Sequence, residues 1–240
     1  NITYNEDGTI KAFLPIDDKY PSKIKKRIIK NLNEGYFPDK IIVPFIETVH
    51  DRVMLEIFRG CTRGCRFCQA GMIYRPVRER SVDVLVEYAK KLIESTGHEE
   101  ISLSSLSTSD YSKIYELVEV LIKEYKDKKI GLSLPSLRLD SFSLEVIEEI
   151  QKVRKTGLTF APEAGTQRLR DVINKGITED DLFKSTEEAF NSGWSTVKLY
   201  FMLGLPTETF EDVLGIKELA YEVKDIFFNR PKELRKGNLK

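Results

Sequence analysis

From Val53 onward, short apolar runs alternate with longer stretches whose apolar residues recur at helical spacing. Val53-Met-Leu-Glu-Ile-Phe58 is a mostly apolar run of strand length. Ser81 then reads as a helix N-cap, with Leu85, Val86, Ala89, Leu92 and Ile93 on one face and Gly97 as the stop. Ile101-Ser-Leu-Ser104 predicts the next strand. Tyr111 to Tyr125 predicts the next helix, striped by Ile114, Leu117, Val118, Leu121 and Ile122. Ile130 to Leu134 predicts a strand before a helix capped by Ser143. Leu158 to Ala161 precedes a helix over Thr166 to Lys175 and another opened by Thr178, with Asp181 placed to complete a capping box. Val197 to Leu203 and Phe210 to Phe228 are the last strand and helix. Strands alternating with helices of this length call for a parallel sheet with right-handed crossovers. Five such units are countable.

Residues 1–50 follow a different pattern. Ile10 to Leu14 is extended. Ser22 to Leu32 predicts a helix, with Ile24, Ile28, Ile29 and Leu32 as its buried stripe and Lys23, Lys25, Lys26, Arg27 and Lys30 as a solvated basic face. Ile41 to Ile46 is apolar but contains Pro44, so an edge strand is the most it can be. The expected organisation is a lead-in over 1–50, packed on a core over 51–240.

Composition bounds the class. A chain of 240 residues can form one α/β barrel. Lys+Arg and Asp+Glu both number 38, so global charge advertises neither nucleic acid nor a membrane. No apolar run nears the roughly 20 residues that span a bilayer, and no signal peptide is expected. A cytoplasmic protein without membrane contact is expected. The start at Asn1 and the basic stretch from Lys232 to Lys240 predict a piece of a longer protein.

All three cysteines, Cys61, Cys65 and Cys68, sit in one loop. That placement suits a reducing compartment and one metal centre rather than a disulfide framework. Three thiolates are one short of a closed zinc site or a fully thiolate-ligated cubane. A zinc loop completed by a histidine or carboxylate is the alternative, though His50 and His98 both lie outside the loop. Around the cysteines, from Ile41 to Ala89, there is no lysine but there are seven arginines: Arg52, Arg59, Arg63, Arg66, Arg75, Arg78 and Arg80. They read either as a cationic rim for anionic ligands or as partners of local carboxylates such as Glu56 and Glu79.

The spacing Cys-x3-Cys-x2-Cys, with Phe67 before the last cysteine, resembles the signature of radical S-adenosylmethionine (radical SAM) enzymes. The resemblance implies a partial (β/α)6 TIM-like barrel, here truncated after the fifth βα unit. It implies a [4Fe–4S] cluster on the three cysteines whose open iron chelates SAM, and reductive cleavage of SAM to a 5′-deoxyadenosyl radical. It further implies an electron donor such as flavodoxin or ferredoxin. In such barrels the chemistry gathers at the C-terminal strand ends. The resemblance assigns SAM contacts there. Ser104 and Ser105 stand where related enzymes carry a Gly-Gly-Glu-like segment for the SAM amino group. The run Ala161 to Arg170 is similar to the segment after strand four of methylthiotransferases and cobalamin-associated members. That similarity gives Glu163 a SAM contact and makes Lys175 and Arg168 candidates for the SAM carboxylate. Gly204 resembles the glycine that lets backbone approach adenine.

Residues 41–230 are most similar to uncharacterised bacterial radical SAM proteins with a cobalamin-binding-like domain upstream, through the runs Pro44 to Cys61 and Gln69 to Arg80. This leaves room for cobalamin through such a domain. The substrate is open, with RNA methylation or methylthiolation as one alternative and a passive iron–sulfur or zinc module as another.

Overall fold

The structure, a computed structural model, describes residues 1–46, 48–135, 138 and 158–235. The helix expected from Ser143 lies outside the described residues. The chain divides into two compact units, Asn1–Lys30 and Asn31–Lys240.

In the first unit, β1 (Ile2–Tyr4) and β2 (Ile10–Phe13) form an antiparallel hairpin that pairs Ile2 with Phe13 and Thr3 with Ala12. Asp7 accepts from the Thr9 amide at 3.0 Å, and Gly8 takes φ +81°. The sequence reading found β2 and missed β1, although Asp7-Gly8 is a hairpin turn signal. The helix expected over Ser22–Leu32 does not form. Residues 22–31 carry no regular structure, and only a 3-10 turn follows at Leu32–Glu34. Ile24, Ile28 and Ile29 are 90%, 40% and 42% exposed, so of the expected stripe only Leu32, at 1%, is buried. A helix below about 12–15 residues is marginal without such packing, and five cations crowded onto its faces repel one another. The apolar run Ile41–Ile46 is likewise irregular.

The second unit contains the alternating pattern. β3 (Val53–Glu56), β6 (Glu100–Ser104) and β7 (Gly131–Ser133) make a parallel sheet with β6 central, in register Leu55 to Leu103 and Ile101 to Leu132. β8 (Leu158–Glu163) and β9 (Val197–Phe201) make a parallel pair, with Phe160 opposite Leu199. These are the five expected core strands. Two short strands were not expected. They are β4 (Phe58–Arg59) and β5 (Arg78–Glu79), which pair antiparallel.

The helices fall close to their predicted bounds. α1 (Ala70–Ile73) is a single added turn after the cysteines. α2 (Val82–Thr96) starts after Ser81 and ends at Gly97, which takes the left-handed φ of +72° that glycine tolerates. α3 spans Ile114–Tyr125. α4 (Gln167–Val172) is capped by Thr166, α5 (Glu179–Asn191) by the Thr178–Asp181 capping box, and α6 (Phe210–Phe228) by a second box of Thr209 and Asp212. Val53, Leu55, Ile101 and Leu103 meet Leu85, Leu92, Leu117 and Leu121 in one core. Leu158 and Phe160 meet Leu182, Phe190, Leu219 and Phe227 in another. Each fully buried side chain of this size contributes roughly 1.5–3 kcal/mol. No described helix is long and apolar enough to cross a membrane.

Candidate active site

The cysteine loop leaves the sheet at the end of β3. The β4–β5 ladder, Phe58 to Glu79 and Arg59 to Arg78, closes its neck. Gly60 sits at that neck with φ +109°, and a Cβ there would stand 2.5 Å from the Tyr74 carbonyl oxygen, so only glycine fits. Within the loop the Cys68 amide donates to the Cys65 carbonyl at 3.0 Å. All three cysteines are free thiols, each half-buried.

The loop is tied on its far side to the chain that leaves α4. The Arg66 amide donates to the Ile173 carbonyl at 2.9 Å, and the Arg66 guanidinium donates to the Val172 carbonyl. The Asn174 side-chain amide donates to the Gly64 carbonyl at 2.9 Å. On another side Arg63 forms an ion pair with Asp110, in the turn after β6.

Most of the arginines are engaged by local groups. Arg59 donates to both carboxylate oxygens of Glu56 at 2.8 Å, and the buried Arg80 lies 3.4 Å from the same carboxylate. Hydrogen bonds from Arg59, with the charges of Arg59 and Arg80, hold the Glu56 carboxyl below its ordinary range against the opposing effect of burial. Arg52 pairs with Glu100 at 2.8 Å. Glu79 instead accepts from the Ser112 amide and hydroxyl. Of the two readings of this stretch, ion pairing accounts for Arg52, Arg59, Arg63 and Arg80.

At the end of β8 the chain bulges between Phe160 and Glu163, and Glu163 takes φ +69°, a left-handed conformation rare for a residue with a Cβ. Its carbonyl accepts from the Met202 amide at 2.8 Å. Its carboxylate meets Lys175, with Nζ to Oε1 at 3.0 Å and side chains only 12% and 16% exposed. The Lys175 ammonium also lies 5.9 Å from the centre of the Phe67 ring, inside the cysteine loop. Three residues singled out from the sequence thus converge: Phe67, Glu163 and Lys175.

Arg138 joins them and was missed from sequence. Its amide donates to Ser109 Oγ at 3.1 Å, and its guanidinium reaches the Lys175 carbonyl at 3.3 Å. The signal for it is its position just beyond the third core strand, β7.

Ser104 and Ser105 line a cleft of about 350 Å³ with Glu56, Arg59, Gly60 and Tyr74, beside the neck of the cysteine loop. Ser105 is also held in a local turn, 3.1 Å from Thr108 Oγ1 and accepting from the Ser107 amide. Arg168 lies apart from these groups. It pairs with Asp212 and donates to the Thr207 carbonyl at 2.9 Å, which spends it on the seam between α4 and α6. Gly204 takes φ +80°, and its amide is held by the Glu208 carboxylate at 2.7 Å, so Glu208 closes that turn.

The donor set fits an iron–sulfur cluster: three half-buried free thiols in one stapled loop, with the Lys175 ammonium over its Phe67 ring. Among the described residues no three His, Cys, Asp or Glu side chains are gathered as around a single ion. A cubane holds each thiolate on its own iron, so it does not require that convergence. His50 Nδ1 faces Arg52 at 3.1 Å and His98 Nδ1 faces Asp51 at 3.0 Å.

A family model described as the Radical SAM superfamily matches residues 55–220, and the chain belongs to that superfamily. Its members are enzymes whose cofactors are a [4Fe–4S] cluster and SAM. The Uncharacterized protein MJ0966 of Methanocaldococcus jannaschii is 40% identical over 238 residues, covering 98% of this chain and 49% of that protein. The Ribosomal protein uS12 methylthiotransferase RimO of Petrotoga mobilis is 26% identical, covering 93% of this chain and 54% of that protein. The chain therefore spans about half the length of the curated relatives it matches. Among solved structures, the radical SAM methyltransferase TsrM of Kitasatospora setae, determined with cobalamin and a [4Fe–4S] cluster bound, shares the fold. Its TM-score is 0.59 at 13% identity, over 72% of this chain and 34% of that one.

Proposed function

We propose that this chain is the catalytic core of a radical SAM enzyme that binds its [4Fe–4S] cluster through Cys61, Cys65 and Cys68 and reductively cleaves SAM to abstract hydrogen from a substrate. When bound, cluster and SAM supply the one-electron chemistry. The protein binds, orients and excludes water. The observation that carries this reading is the Glu163–Lys175 ion pair beside Phe67 of the cysteine loop. The methionine end of SAM is a zwitterion, and a carboxylate beside an ammonium is its complement. Glu163 would receive the amino group and Lys175 the carboxylate, with Ser104 and Ser105 lining the adjoining cleft. Arg168 supports the Gly204 turn rather than the carboxylate. Residues 51–240 form the core and 1–50 the lead-in, and a small acidic electron carrier such as flavodoxin or ferredoxin supplies the electron in the cytoplasm.

The test is anaerobic reconstitution of the whole chain followed by reduction with SAM present. Formation of 5′-deoxyadenosine supports the reading. A protein that binds about four irons per chain and never yields 5′-deoxyadenosine is a passive cluster module instead.

A second reading gives the reaction a methyl or methylthio product. It rests on the named methylthiotransferases among the relatives, one of them a tRNA-2-methylthio-N(6)-dimethylallyladenosine synthase of Pelagibacter ubique, 26% identical over 192 residues. The chain has no cysteine beyond the three in the loop, so sulfur would come from outside it. Cobalamin would enter through an upstream domain, and RNA binding would show itself by a steep salt dependence.

A further inference from the structure

The turn after α4 touches both halves of the site. Asn174 has φ +53°, a left-handed position for which glycine is the ordinary choice. Asparagine also tolerates it, and unlike glycine it carries an amide. That amide is used, since it donates at 2.9 Å to the carbonyl of Gly64, 110 residues earlier and between Cys61 and Cys65. The same turn presents the Ile173 carbonyl to the Arg66 amide at 2.9 Å and the Val172 carbonyl to the Arg66 guanidinium. The next residue, Lys175, makes the ion pair with Glu163.

We propose that Asn174 is a positioning residue that sets the shape of the cysteine loop before any cluster enters and ties that loop to the Glu163–Lys175 pair. Gly64 has φ +74°, so its carbonyl orientation is a free choice of a flexible residue until something fixes it. The Asn174 amide fixes it from outside the loop. Cys65 follows directly, so the direction of its side chain inherits that constraint. Lys175 follows Asn174 directly, so the ammonium at the ion pair moves with the same turn. The loop and the pair are therefore held in one frame by protein alone. The link to iron rests on the reading that these cysteines hold the cluster; the link to loop shape does not.

The test compares Asn174→Gly and Asn174→Asp with the parent chain. Both replacements tolerate the left-handed backbone. Glycine removes the amide, and aspartate keeps its shape but turns the donor into an acceptor. In iron-free protein, hydrogen–deuterium exchange over residues 61–68 should quicken by roughly fivefold in both variants, the factor one lost neutral hydrogen bond brings. After reconstitution, both should release iron to a chelator faster by a similar factor, with melting temperature unchanged in the glycine variant. Parent-like exchange in the glycine variant overturns the proposal. Parent-like exchange in the aspartate variant also overturns it, since shape would then suffice without the donor. If the parent chain takes up no iron, the functional reading fails while the exchange comparison still decides the role of Asn174.

Discussion

Lys175 Nζ stands 3.0 Å from Glu163 Oε1, and the two residues arrive there by different routes. Glu163 ends β8 after a bulge, in a left-handed conformation. Lys175 lies past the end of α4, where Asn174 also turns left-handed, and its amide reaches back to the Arg170 carbonyl at 2.9 Å. Two uncommon backbone conformations thus serve one contact. Such conformations persist where the surroundings over-determine them, and they concentrate at functional sites.

Replacing Glu163 with alanine removes the carboxylate that faces the SAM amino group in the proposed arrangement. A hydrogen bond to a charged group contributes about 1.5–3 kcal/mol, so SAM should bind some tens-fold more weakly, with iron content unchanged. Equilibrium binding of SAM to the reconstituted variant measures this. Unaltered affinity would show that Glu163 holds only Lys175.

Cys65 follows Gly64 and opens the turn in which the Cys68 amide meets its carbonyl. Cys65→Ala should lose most of the bound iron after reconstitution, because two thiolates remain for the cubane. Cysteine is half-buried here, so the folded chain should survive. Iron analysis beside a melting curve checks both. Full iron retention would sink the ligand assignment.

The strand–helix alternation was readable because each element announces itself locally. Phe210–Phe228 begins at its Thr209 cap, and Gly97 stops α2 where a left-handed residue is needed. Ser22–Leu32 shows the limit of that logic. Its isoleucines have helical spacing but stay exposed, and spacing alone does not fold a short helix in water. At the site, the types of Glu163 and Lys175 were visible, but their meeting depends on a bulge and a left-handed turn that no periodicity encodes. Asn174 escaped for the same reason, and Arg138 had only its place after a strand end to mark it. Each acts on a carbonyl that is distant in sequence, and nothing in the local pattern marks a carbonyl as needing a partner.

Asp212 is 2% exposed and gathers the seam between α4 and α6. The Thr166 hydroxyl hydrogen bond, with further ones from the Thr209 amide and Arg168, holds its carboxyl well below the usual carboxylate range. A carboxyl depressed in the folded state adds stability that is present above the unfolded value near 3.8 and is lost as pH falls through the lower folded value. Asp212→Asn should therefore melt below the parent at pH 7, and the gap should narrow below pH of about 4. A gap of equal size at pH 7 and pH 3 would show that its ionisation does not contribute.

Gly165, just before the Thr166 cap of α4, packs backbone to backbone against Gly215 of α6. A Cβ on Gly165 would stand 2.2 Å from the Asp212 carbonyl oxygen and 2.4 Å from the Ile216 nitrogen. One on Gly215 would stand 2.7 Å from the Gly165 carbonyl oxygen. These obstacles are backbone atoms, which cannot swing aside as a side chain end can. Gly165→Ala must push α6 away from the Glu163 end of β8, at about 1–3 kcal/mol or more for overpacking. Gly176 provides the contrast. Its φ is +61° but its Cβ would meet nothing within 4 Å, so Gly176→Ala bears only the strain of a left-handed residue, about 1–2 kcal/mol. Urea unfolding of the two variants should rank Gly165→Ala as the less stable, and its loosened seam should weaken SAM binding where Gly176→Ala leaves it intact. The reverse ranking would mean that α4 and α6 can separate at little cost, and that the close approach does not hold Glu163 in place.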